Sequence, residues 1–174
     1  MPLWWIKIVD GWIPPPPGKQ LFVGSHSHAL DEKGRTMVPS SFRAELDMLN
    51  ERSLIITYHP VMQPAIRLVV WPASRFRAHV EAFNQELPTP QNAAARDYYR
   101  GVVIGEADQI DIDKPGRILI PASKRKHLAL GDKLVFVGDG SETFQIWRPE
   151  DREALFAFGR EQPEAVREHL SRWL

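Results

Sequence analysis

The sequence predicts an α+β protein built from two tandem copies of one β-rich half, with helices between and after them. Three observations predict it. The segment DEKGRTMVPSSFRAEL (Asp31–Leu46) overlies DKPGRILIPASKRKHL (Asp113–Leu128) with seven of sixteen positions identical, where unrelated sequences would share roughly one. After each copy comes an apolar β-type run, LIITYHP at Leu54–Pro60 and LVFVGDG at Leu134–Gly140, and then a strand ending in Trp71 or Trp147. Between and beyond these halves, apolar residues recur at helical spacing.

In chain order, residues 1–20 (MPLWWIKIVDGWIPPPPGKQ) form a Trp- and Pro-rich tail whose four prolines, Pro14–Pro17, favour an extended polyproline segment. The tail lacks the basic start, long apolar stretch and cleavage site of a secretory signal. Residues 21–71 make the first half. In it, Ser27–Leu30 reads as a strand, Asp31–Arg35 as a tight turn and Thr36–Val38 as the returning strand, because Asp caps its own turn and Gly34 accepts positive φ. Ser40–Leu46 then reads as a short helix with Pro39 in its first turn. Residues 72–103 form a helical connection, with helices expected over Pro72–Leu87 and over Pro90–Val103, the second capped by Thr89. The second half, 104–148, repeats the order: strand Gln109–Ile112, turn Asp113–Arg117, strand Ile118–Ile120 and helix Ala122–Leu128. Residues 149–174 close the chain with a helix from Pro149 to about Arg160 and another from Pro163.

The composition narrows the function. No run of about 18 apolar residues exists, which excludes a helical membrane span, and the chain has no cysteine. A reducing cytoplasm fits that composition. Lysine plus arginine balance aspartate plus glutamate at 22 each, so the summed positive field that usually draws a protein to nucleic acid is missing. Any such binding must come from a local arrangement of cations.

Catalytic constellations are scarce. His26 and His28 fall on one face of a strand near Asp31, but a metal site there needs a further ligand from elsewhere, and paired strand histidines are the plainer reading. Asp108, Asp111 and Asp113 read as a solvated strand face and a turn cap rather than as a hydrolytic pair. No Walker A, GxSxG or GxGxxG pattern is present, and no cofactor is implied. What remains is one basic residue directly after each turn, Arg35 and Arg117, with Lys33 and Lys114 beside them. An arginine fork bonds guanine O6 and N7 together, while lysine holds phosphate, and a two-stranded ribbon is slim enough for the major groove. The competing reading is that each arginine braces its turn by pairing with Asp31 or Asp113. Arg43, Lys124, Arg125 and Lys126 are candidates for backbone contact, the last three as an adjacent cationic run. Trp71 and Trp147 read as packing residues.

The stretches LFVGSHSHALDEKGRTMVPSSFR, LIITYHP, GEADQIDIDKPGRILIP and LVFVGDGSETFQIW resemble the MraZ family from Leu21 to the final helices. That resemblance implies two AbrB-like (SpoVT-type, swapped-hairpin) halves interlocked into a pseudo-twofold, β-barrel-like unit with flanking helices. It implies a homo-oligomeric ring that regulates transcription, without catalysis, by binding repeated guanine-containing boxes in double-stranded DNA upstream of its own cell-division and cell-wall gene cluster. A cytoplasmic, nucleoid-associated protein follows. The family's DNA-contacting positions fall on Lys33, Arg35 and Arg117, with Lys114 a weaker carry-over because Pro115 fixes the backbone beside it. The tail departs from the family pattern. AbrB-type halves also occur in antitoxin-like partner proteins, and a metal-dependent hydrolase using His26, His28 and an aspartate is the remaining rival.

Overall fold

The computed structural model describes residues 22–61 and 66–164. The tail and the helix expected beyond Pro163 therefore lie outside the described residues, apart from the first two positions of the latter. The elements are β1 (Phe22–Ala29), β2 (Arg35–Met37), α1 (Ser40–Met48), β3 (Ser53–Tyr58), β4 (Leu68–Pro72), α2 (Ala73–Gln85), α3 (Ala93–Tyr99), β5 (Asp108–Asp111), β6 (Arg117–Leu119), α4 (Ala122–His127), β7 (Lys133–Ser141), β8 (Phe144–Trp147) and α5 (Pro149–Glu161). Each repeated segment thus yields strand, turn, strand and short helix, and each following apolar run yields a hairpin.

Six strands form one antiparallel sheet in the order β1-β7-β8-β4-β3-β5, and β2 pairs with β6 in a separate two-stranded ribbon. Every second-half strand pairs with a first-half strand, so neither half completes its hydrogen bonding alone. Replacing each strand by its counterpart in the other half reverses the sheet order, which is the mark of a pseudo-twofold axis. Register agrees: Ala29 faces Lys133 and, equivalently, Asp111 faces Ser53. The barrel-like closure implied by the family resemblance is corrected, because β1 and β5 are the two ends of an open sheet.

Strand alternation sorts the side chains onto two faces. Leu54, Ile56, Leu68, Val70, Leu134, Phe136, Phe144 and Ile146 point inward against Val38, Phe42, Leu46, Ile118, Ile120 and Leu128 from the ribbon and its two helices. Phe22, Phe42, Phe136 and Phe144 meet there at ring separations of 5.0 to 6.5 Å. On the outer face, Val135, Val137 and Trp147 pack with Leu155 of α5. Trp71 meets Phe76 and His79 of α2, so both repeated tryptophans are packing residues, Trp147 buried and Trp71 half-buried. The same face buries a polar network. Arg67 donates to Gln145 Oε1, to the Val61 carbonyl and to His59 Nε2, lies over the Trp147 ring, and Gln145 in turn donates to Asp139.

Several helix boundaries differ from expectation for local reasons. Thr89 does not cap α3: its N–H donates to Asn92 Oδ1 and its carbonyl accepts from Asn92 and Ala93. Residues 90–92 are therefore a turn, and α3 begins only at Ala93. Beyond Tyr99 the helix widens into a π-helical turn over Arg100–Ile104, whose Val103 carbonyl accepts from the buried Thr57 hydroxyl at 2.7 Å. Pro39 and Pro121 stand one position earlier than expected, as the capping residues before Ser40 and Ala122.

Candidate nucleic-acid interface

Each Asp-x-x-Gly-Arg segment folds into the same loop. The Asp31 carbonyl accepts from Gly34 at 2.8 Å and the Asp31 amide donates to the Arg35 carbonyl at 2.9 Å; the Asp113–Gly116 and Asp113–Arg117 bonds are both 2.9 Å. Gly34 and Gly116 have φ of +83° and +94°, a region that only glycine occupies without strain. The aspartate side chain completes the loop by accepting the arginine amide, at 2.8 Å in the first and 2.6 Å in the second. These N–H donors, followed by the arginine side chains, hold both carboxyls below the usual aspartate range.

The arginines are braced, and they are also available. Arg35 donates through Nε to Asp31 Oδ2 and Arg117 through Nε to Asp113 Oδ2, each at 2.8 Å. Their side chains are 37% and 35% exposed. Binding through Nε engages the inner edge of the guanidinium, while the two terminal amino groups have no recorded partner among the described residues. Pairing with the turn aspartate therefore orients the fork without consuming it.

The ribbon decides which way the forks face. Arg35 pairs with Leu119, Thr36 with Ile118 and Met37 with Arg117. Thr36 and Ile118 point into the core, so alternation puts Arg35, Met37, Arg117 and Leu119 together on the outer face. Leu119 is 52% exposed there. The two arginines occupy diagonal positions, roughly 7–8 Å apart along such a ladder. Lys33 and Lys114 are exposed on the loops at either end.

The remaining cations divide. Lys126 is exposed and Arg125 half-buried, but Lys124 is corrected: it is 1% exposed, with Nζ donating to the Glu106 carbonyl and to Asp108 Oδ2 at 2.6 Å each. Its place on α4, one turn before Leu128, turns it inward, with Nζ 4.9 Å from the centre of the Tyr58 ring. Arg43 and Arg125, candidates for backbone contact from the sequence, each reach the turn of the opposite half, Arg125 packing on Gly34 and Arg43 on Gly116. Glycine and arginine are nine residues apart in both copies, but a spacing within one copy does not show that the contact runs between copies.

The histidine pair does not build a metal centre. His26 and His28 share a face, as strand alternation requires, but they pack edge-on against Phe42 and Phe136. Burial, then the neighbouring His26 and Arg43, lowers the His28 pKa. Asp31 is held by Arg35, and among the described residues no three His, Cys, Asp or Glu gather into a metal-binding group. Nor is any described helix long and apolar enough to cross a membrane.

Comparison with known proteins agrees with this architecture. The family model described as "MraZ protein, putative antitoxin-like" matches residues 21–98 and 103–168. The transcriptional regulator MraZ of Marinomonas sp. (strain MWYL1) is 32% identical over 134 residues, which is 77% of this chain and 84% of that protein. That of Lachnoclostridium phytofermentans is 37% identical over 136 residues, covering 77% and 86%. That of Leuconostoc citreum is 30% identical over 150 residues, covering 86% and 96%. These relatives bear the name of a regulator and not of an enzyme. With a match that spans both halves and relatives aligned over most of their length, the chain belongs to the MraZ family.

Proposed function

We propose that this chain is a DNA-binding transcriptional regulator that reads repeated guanine-containing boxes in double-stranded DNA with the outer face of the β2–β6 ribbon. The observation that supports it best is the pairing of two oriented, half-exposed arginines on one two-stranded ribbon. Such a ribbon fits a major groove, Arg35 and Arg117 address guanine, and Lys33 and Lys114 at its ends meet phosphates. Lys126 adds positive potential beside the loops, while Arg43 and Arg125 pack against them. The pseudo-twofold strand order supports reading residues 21–71 and 104–148 as AbrB-like, swapped-hairpin halves.

A neutral chain needs help to bind a polyanion. Assembly into a homo-oligomeric ring would repeat the ribbon, so that several modest contacts on successive boxes combine through effective concentration. The relatives are named as transcriptional regulators, and the natural target is DNA upstream of the chain's own cell-division and cell-wall gene cluster, in a cytoplasmic, nucleoid-associated setting.

Titration of that upstream DNA at two salt concentrations tests the reading. Arg35→Ala is expected to lose about 1–3 kcal/mol per base contact, and Lys33→Ala to lower the salt slope by about one. Unchanged affinity for Arg35→Ala rejects the assigned role. The antitoxin-like description of the family model favours one second reading, a protein-binding module; a stoichiometric small protein co-purifying with the chain, without DNA affinity, would select it.

A further inference from the structure

We infer that Arg125 and Arg43 are positioning residues for the hairpin of the opposite half: Arg125 sets the orientation of Arg35, and Arg43 sets that of Arg117. The functional consequence rests on the DNA-binding reading above; the mechanical one does not.

The argument begins at the two glycines. A methyl group built on Gly34 would lie 2.5 Å from Arg125 Cζ, and one on Gly116 would lie 2.5 Å from Arg43 Nη1. The guanidinium therefore fills the space where any other residue would carry Cβ. The other half also holds each glycine by its backbone: the Gly34 carbonyl accepts from Ile120 at 2.9 Å, and the Gly116 carbonyl accepts from Val38 at 3.0 Å. Arg125 follows Ile120 by five residues and is itself anchored through Nε to the Ile120 carbonyl at 3.0 Å. Arg43 reaches the Pro115 carbonyl at 3.5 Å. Each loop is thus clasped by one short segment of its partner half, a backbone bond on one side and a flat cation on the other.

Arginine suits this task. Its planar head lies against a peptide and donates to a carbonyl in the same posture, which an aliphatic chain cannot do and a lysine does only as a point donor. Arg35 directly follows Gly34, and both its amide and its Nε bind Asp31. A shift of Gly34 therefore moves both bonds that aim the Arg35 fork. The same dependence links Gly116, Arg117 and Asp113.

Two measurements on the full chain test this. In amide hydrogen exchange, Arg125→Ala should speed exchange at Gly34 and Arg35 roughly tenfold, as its packing on Gly34 and the Nε bond that anchors it to the Ile120 carbonyl are lost, with Gly116 and Arg117 unaffected; Arg43→Ala should do the converse. Acceleration in the variant's own half, or equally in both loops, overturns the inference. In DNA titration, Arg125→Ala should cost little once Arg35 is alanine, whereas Arg43→Ala should keep its effect in that background. Arg125→Lys retains the charge but should weaken binding as alanine does; wild-type affinity would make Arg125 a phosphate contact and overturn the positioning role. If Arg35→Ala itself leaves DNA affinity unchanged, the DNA reading fails and the exchange experiment alone decides. Should Arg125→Ala not fold, Arg125→Gln is carried through both measurements.

Discussion

Replacing Lys124 by methionine separates a structural lysine from a DNA-contacting one. The wild-type ammonium is buried and bonds the Glu106 carbonyl and Asp108 at 2.6 Å each. Methionine keeps most of the packed volume and removes both bonds. The Glu106 carbonyl then loses its donor, at a cost of about 1–3 kcal/mol. Breaking a fully buried ion pair costs about 3–5 kcal/mol, but Asp108 is 46% exposed and its carboxylate recovers water. The ammonium's own desolvation is relieved as well, so a net loss of about 1–2 kcal/mol is expected, near 2–4 °C in Tm for each kcal/mol. Alanine removes three further methylenes at about 0.8 kcal/mol each, plus a cavity term. Urea and thermal unfolding of both variants, with DNA titration at two salt concentrations, read the two contributions. If both variants unfold at the wild-type midpoint and the salt slope falls by about one, Lys124 contacts phosphate and its assignment to the core is wrong.

Three further outcomes follow from the geometry. Gly34→Ala places a side chain at φ +83° and against Arg125, and should destabilise by about 1–3 kcal/mol in urea unfolding. Ala129 carries φ +49° at the end of α4, so Ala129→Gly should raise stability by about 0.5–1 kcal/mol. Burial, then the adjacent Arg67, lowers the His59 pKa to about 4. Because the unfolded chain binds that proton near 6.5 and the folded one does not, the stability is fully present above 6.5. It declines as pH falls from there toward 4, by up to ~3 kcal/mol. Urea midpoints measured across that interval should fall in wild type and fall less steeply in His59→Gln, where His28 and His79, also lowered by burial, still contribute.

The repeated elements were legible because each rests on short-range rules. Asp31 and Gly34, like Asp113 and Gly116, specify a turn whatever surrounds them. The continuous apolar runs beginning at Leu54 and Leu134 specify strands that are covered on both faces. The start of α3 was misread because the Asn92 side chain closes a turn onto the Thr89 N–H ahead of the helix. Lys124 was misread because three adjacent cations look alike in sequence, while a helix points them in different directions.

The sequence by itself determined that this protein is a duplicated α+β chain, where its turns lie, and which arginine follows each glycine. Tertiary structure alone decided that strands of each half pair with strands of the other, that β2 and β6 turn Arg35 and Arg117 to a common face, and that Arg43 and Arg125 lie against the opposite loop. The physical reason is distance along the chain: turn and strand preferences act over a few residues, but which strand supplies a partner's hydrogen bonds, and whose side chain fills the space above a glycine, is settled only when segments some eighty residues apart pack together.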